Sequence, residues 1–175
     1  SQKYNMTSHE LRLSGGEETS LEWLVGLYAY NQRNGGLFTI FQGVFGPFGL
    51  VNSNVPSNRL EGVSGFGQAT YSFTDEARVT LGARYSSDKR EANGSLTADP
   101  VTGAPIGNFT FDEDYSNVDW KVSAEYDVAP DAMVYAAIQT GYAPGTYNTE
   151  PTSATDPRAP AVKPIDLTAF SLGLK

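Results

Sequence analysis

Apolar and polar side chains alternate one by one along seven stretches of this chain. Successive side chains of a strand point to opposite faces, so this alternation predicts a sheet with one apolar and one polar face. The stretches are Glu10–Leu13, Leu21–Tyr30, Gly65–Phe73, Arg78–Ser86, Asp119–Val128, Met133–Tyr142 and Thr168–Lys175. The clearest is Arg78–Ser86, where Val79, Leu81, Ala83 and Tyr85 oppose Arg78, Thr80, Gly82, Arg84 and Ser86. In Asp119–Val128, Trp120, Val122, Ala124, Tyr126 and Val128 oppose Lys121, Ser123, Glu125 and Asp127. No segment has a convincing helical period.

The connections alternate as well. Short breaks fall at Ser14–Ser20, Thr74–Ala77 and Ala129–Asp131; long polar or Gly/Pro-rich stretches fall at Asn31–Gly62, Ser87–Tyr115 and Ala143–Pro164. Together these predict an all-β fold, an antiparallel up-and-down meander of about seven strands with short turns at one end and long loops at the other. A transmembrane β-barrel has such ends. Its polar face would line a wet lumen, and Glu10, Arg12, Glu22, Arg84, Lys121 and Glu125 are the charges expected there. Aromatics of apolar-face parity gather at strand ends. Trp23, Tyr71, Phe73 and Tyr126 lie toward the short turns, Tyr85 and Trp120 toward the long loops, as in interfacial girdles.

Composition narrows the classes. Among 175 residues there is no cysteine, which removes disulfides, Cys-ligated zinc and thiol catalysis. A net charge of −8 argues against nucleic acid as a partner. No apolar run approaches the ~20 residues of a spanning helix, whereas barrel strands need only alternate apolar positions. Ser1–Asn5 lacks the basic start and apolar core of a signal peptide, so the chain reads as mature, internal to a longer protein, or not exported.

Several phrases sharpen this reading. The run "SHELRLSG", "WLVGLYAY" and "GFGQATYSFTDEARVTLGARYSSDKR", followed by "WKVSAEYDVAPDAMVYAAIQTGYAPGTYN" and "AFSLGLK", resembles the middle of the barrel of a TonB-dependent outer-membrane receptor. The likeness covers about Met6 to Lys175, apart from the interiors of the long loops. It implies a barrel of about 22 strands with a plug in the lumen. It also implies residence in the bacterial outer membrane, contact with its lipid, and energy from a TonB complex. Its cargo would be a scarce nutrient, with ferric siderophore-type chelates as the family default and vitamins or saccharides as others. The chain shows no plug domain and no barrel-closing C-terminal strand, so 1–175 is expected to be a single partial β-barrel domain. Seven strands would leave two open edges.

Candidate chemistry is sparse. On Gly35–Gly49, Phe38, Phe41, Phe45 and Phe48 recur at three- or four-residue intervals, either as a patch for an apolar ligand or as anchors for the loop in the barrel mouth. With Arg33 and Arg59 they are the candidate substrate-facing residues. Arg33, Arg59, Lys89 and Arg90 suit an anionic chelate or lipid phosphates equally. Asp112, Glu113, Asp114 and Asp119 lack the spacing of a calcium loop and read as a solvated acidic stretch. His9 is the only histidine and shares the parity of Leu11 and Leu13, an interfacial, lipid-side placement. No metal site, cofactor or catalytic group is expected, and an enzyme is the least supported class. Two other architectures fit the alternation: a soluble, secreted β-sandwich binding module and a small complete outer-membrane barrel.

Overall fold

A computed structural model describes residues 2–17, 19–40, 51–97, 105–147 and 161–175. Its strands are β1 (Gln2–Gly15), β2 (Leu21–Ile40), β3 (Val51–Ser72), β4 (Ala77–Thr97), β5 (Pro105–Ala129), β6 (Ala132–Ala143), β7 (Thr146–Tyr147), β8 (Ala161–Val162) and β9 (Ile165–Leu174). Seven form one antiparallel sheet in the order β1-β2-β3-β4-β5-β6-β9, while β7 and β8 make a separate two-stranded ribbon. The large sheet does not close on itself: β1 and β9 each have one neighbour in it. Among the described residues the only other sheet is that two-stranded ribbon, and no layer covers the outward apolar face as a sandwich would require.

Register sorts the side chains into two faces. Val79, Leu81, Ala83 and Tyr85 stand opposite Ala124, Val122, Trp120 and Val118 on one side of β4, and opposite Tyr71, Ala69, Gly67 and Gly65 on the other. Leu27 and Leu11 continue the same face, which stays open; Leu11 is 71% exposed, Leu81 55% and Phe170 77%. The opposite face is crowded. Ser64, Thr80, Ser86, Asp88, Ala92, Phe109, Phe111 and Ser123 are all buried and all belong to it. Burial on one side of a single layer means that the sheet curls round that side. The crowded face is therefore the inner wall and the apolar face the outer one.

The turns at the short end follow from local chemistry. Gly16 adopts φ 90°, a left-handed conformation that side chains resist, and lets Thr19 N–H reach the Gly16 carbonyl at 2.9 Å. Between β3 and β4, Thr74 Oγ1 accepts from the backbone N–H groups of Glu76 (3.2 Å) and Ala77 (3.1 Å). Pro130 and Asp131 alone separate β5 from β6.

At the other end the sequence expectation needs correction. Much of Asn31–Gly62 and Ser87–Tyr115 is strand: β2 and β3 pair from Asn31/Glu61 up to Ile40/Val51, and β4 and β5 from Ser87/Ser116 up to Thr97/Pro105. Both faces of these extensions carry polar residues, so no alternation marks them. Arg33, Arg59, Lys89 and Arg90 thus sit within strands. Phe41, Phe45 and Phe48 lie outside the described residues, as do residues 148–160 of the Ala143–Pro164 stretch; the backbone of Phe38 pairs with Ser53 in the β2–β3 hairpin.

The β6–β9 ribbon leaves the sheet early. Its ladder to β5 ends at Lys121/Gln139. One step above, Trp120 N–H donates to Thr140 Oγ1 (2.9 Å), and that hydroxyl donates to Asp119 Oδ1 (3.2 Å). From there the chain swings across the inner wall and sets Tyr147 against Phe109 and Phe111, with ring centroids 5.8 and 5.3 Å apart. Ala92, Phe109 and Phe111, flanked by Tyr115 and Tyr147, form the one buried apolar cluster among the described residues.

Candidate functional site

The inner wall has two polar zones. In the lower one, all six charges expected in a lumen share the inner face: Glu10, Arg12, Glu22, Arg84, Lys121 and Glu125. Three of them, Arg12, Arg84 and Lys121, join Gln68, Asp119 and Gln139 round a hollow of about 360 Å³. Three cations against one carboxylate give this hollow a positive field. Arg12 also binds Glu10 at 2.8 Å. Arg84, Lys121 and Glu125 share this face but form no ion pair with one another among the described residues. Glu125 accepts instead from Arg78 Nε (2.7 Å), and Asp127 accepts from the same guanidinium (2.8 Å). The reason is register: Arg78 stands directly opposite Glu125, whereas Arg84 lies three inner-face positions farther up β4. Arg84 instead places its guanidinium over the Tyr28 ring, 5.8 Å from the centroid.

The upper zone is built on phenols. Tyr30 donates to Asp88 Oδ1 at 2.7 Å, across two strand intervals. The span is bridged because Gly62 lies between them; a Cβ there would strike both the Tyr30 ring and the Asp88 carboxylate. Desolvation, reinforced by that hydrogen bond, raises the Tyr30 hydroxyl well above its ordinary value. Tyr142 is pushed up to about 12, first by burial and then by the nearby Asp88 charge, while Arg90 opposes the shift. Tyr115 is raised by burial and by Glu113. Three donors of this zone, Arg90 Nε, Tyr115 OH and Tyr142 OH, are closed to solvent and have no partner among the described residues. Unused buried donors are costly, so they mark a place where an acceptor is expected.

Register separates the four basic residues of the mouth. Arg90 is opposite Glu113 and Leu60 on the inner wall. Arg33, Arg59 and Lys89 belong to the outer wall, in line with Ala29 and Val63 or with Tyr85, and so point away from the phenols. There Lys89 binds Glu91 (2.8 Å) and Asp112 (3.4 Å); these bonds raise its pKa, and Lys89 in turn lowers that of Glu91. The acidic stretch splits likewise, with Asp112 and Asp114 outside, Glu113 and Asp119 inside. No metal-holding group of three is found among the described residues. Tyr30, Asp88, Tyr115 and Tyr142 were not singled out by the alternation. Extending the parity of Glu22, Arg84 and Lys121 upward finds Tyr30, Asp88 and Tyr115 in turn; Tyr142 is found only through the departure of the β6–β9 ribbon.

Comparison with known proteins agrees with this architecture. No curated protein sequence matches the chain. Among solved structures, the ferric yersiniabactin uptake receptor FyuA from Yersinia pestis superposes with a TM-score of 0.81 over 99% of this chain, at 22% identity. That likeness is one of fold, and this chain spans only 26% of the receptor's length. The family model described as "TonB dependent receptor-like, beta-barrel" matches residues 1–175. The chain belongs to the TonB-dependent receptor β-barrel family.

Proposed function

We propose that this chain is part of the wall of an outer-membrane receptor that takes up a ferric siderophore-type chelate, and that Arg90, Tyr115 and Tyr142 meet the cargo. The observation that carries the reading is the set of three buried donors, without partners among the described residues, on the inner wall above a cation-lined hollow. Chelates of this kind present several oxygen acceptors and often negative charge, which suits a guanidinium flanked by protonated phenols. Phenols with ordinary or raised pKa are protonated at neutral pH, as hydrogen-bond donors must be. Lower down, Arg12, Arg84 and Lys121 face whatever fills the barrel, a plug domain in this reading, and energy arrives through the TonB complex. The six lumen charges then position the plug and do not contact cargo. Arg33 and Arg59, on the outer wall, are left out of the cargo site.

The test is uptake of a radiolabelled ferric chelate by cells carrying the full-length receptor. A hydrogen bond to a charged group contributes about 1.5–3 kcal/mol, so Arg90→Ala should raise the half-saturating concentration about tenfold or more. Tyr115→Phe and Tyr142→Phe should have smaller effects in the same direction. Wild-type uptake in all three variants, at equal surface abundance, sinks the reading.

A further inference from the structure

The upper zone of the inner wall holds one buried carboxylate that the cargo reading leaves unused. Asp88 is 7% exposed and stands directly opposite Gly62 on β3 and Tyr115 on β5. Its neighbours fix it in place. Tyr30 donates to Oδ1 across the notch at Gly62, so the carboxylate can turn toward water only by giving up that bond.

Asp88 also lies among the three cargo donors. Tyr115 is its cross-strand partner, and Arg90 is the next inner-face residue on its own strand. Its charge acts on the Tyr142 hydroxyl, where Arg90 opposes it. Glu113 stands directly opposite Arg90 on β5. One guanidinium is thus set against two carboxylates. This reverses the balance of the hollow below, where Arg12, Arg84 and Lys121 face Asp119 alone. An acceptor oxygen on a neutral molecule gains the hydrogen bonds of Arg90, Tyr115 and Tyr142. A molecule with several negative charges gains them too, but Asp88 and Glu113 repel it, and away from bulk water that repulsion is weakly screened.

We propose that Asp88 is a specificity-determining residue of the cargo site, which it restricts to ferric chelates of low net charge. Neutral trihydroxamates are admitted and trianionic tris-catecholates are disfavoured. The inference rests on the cargo reading above and adds to it the charge class of the chelate. Discrimination of this kind works by repulsion of the wrong ligand and needs no extra contact with the right one.

The experiment is binding of ferric trihydroxamates and ferric tris-catecholates to the purified full-length receptor, followed by quenching of its intrinsic fluorescence. The wild type should hold the neutral class about tenfold or more tightly than the trianionic one. Asp88→Asn keeps an oxygen acceptor for Tyr30 and removes the charge, so it should narrow that gap about tenfold. Glu113→Gln should narrow it less, and it decides the matter if Asp88→Asn does not assemble. Tyr30→Phe removes the hydrogen bond and leaves the charge, so the gap should stay; a merely structural role for Asp88 would not separate the two variants in this way. Tighter binding of tris-catecholates by the wild type, or a gap that neither carboxylate variant changes, would overturn the proposal. The cargo reading survives that result if Arg90→Ala still weakens whichever class binds. If Arg90→Ala weakens neither class, the cargo reading falls and this inference falls with it.

Discussion

The lower and upper halves of this wall are made of the same strands but obey different rules. Below about Ala29, Val63 and Tyr85, the outer face is apolar and the inner face polar, residue by residue. Above them, Asn31, Glu61, Lys89 and Asp112 replace the apolar positions, and the apolar side chains that remain, Phe109, Phe111 and Ala92, lie inside. In the membrane wall proposed above, hydrocarbon outside and water inside would enforce the first pattern. Water outside and a folded-over ribbon inside explain the second. The fold is continuous across the boundary, while the solvent is not.

The sharpest way to probe the upper half is Phe109→Ala. Phe109 is 1% exposed, and removing such a ring costs about 3–5 kcal/mol in a packed core. Here the loss should be local: β7 should detach from β5, read as faster amide exchange at Tyr147 with little change in β2–β4. Equal loosening throughout the sheet would erase the distinction between the halves.

The lower half is tested by depth. Leu81→Arg puts a charge in the middle of the outer apolar band and should cost about 2–4 kcal/mol in denaturant unfolding from phospholipid vesicles; Asp114→Arg, on the same face but in the mouth, should cost about 0–1 kcal/mol. Similar costs at both sites would mean that the outer face meets one solvent along its whole height.

The smallest effect concerns pH. Tyr142 keeps its proton up to about 12 in the folded wall, because burial and Asp88 disfavour the phenolate. The unfolded chain releases that proton near pH 10. Any stability that depends on this group is therefore complete below pH 10 and declines as pH rises toward 12. Tyr142→Phe should remove this alkaline component; an ultraviolet phenolate titration showing Tyr142 ionised near pH 10 would contradict it.

The same contrast explains what could be read from sequence. Val79 to Tyr85 and Trp120 to Val128 announced themselves because two solvents impose a period of two. The strand extensions Asn31–Ile40 and Ser87–Thr97 read as loops from sequence because polar residues fall at positions of both parities and leave no alternation to follow. Arg12, Arg84 and Lys121 were legible as inner-face residues from parity alone, yet the partner of Glu125 was not. Choosing Arg78 over Arg84 requires the cross-strand register, which the β4–β5 hairpin sets and composition does not. The burial of Tyr115 and Tyr142 depends on where a distant ribbon folds, and no local signal encodes that.

Thr140 has a consequence that reaches beyond one hydrogen bond. Its hydroxyl stands in for a carbonyl at the last rung before β6 leaves β5, so the Trp120 amide is satisfied although the ladder has ended. In hydrocarbon an orphan amide is prohibitive, but just above it, beside Ser116 and Asp114, hydration is available. A single alcohol thus lets the wall split into a seam at about the height where splitting becomes harmless.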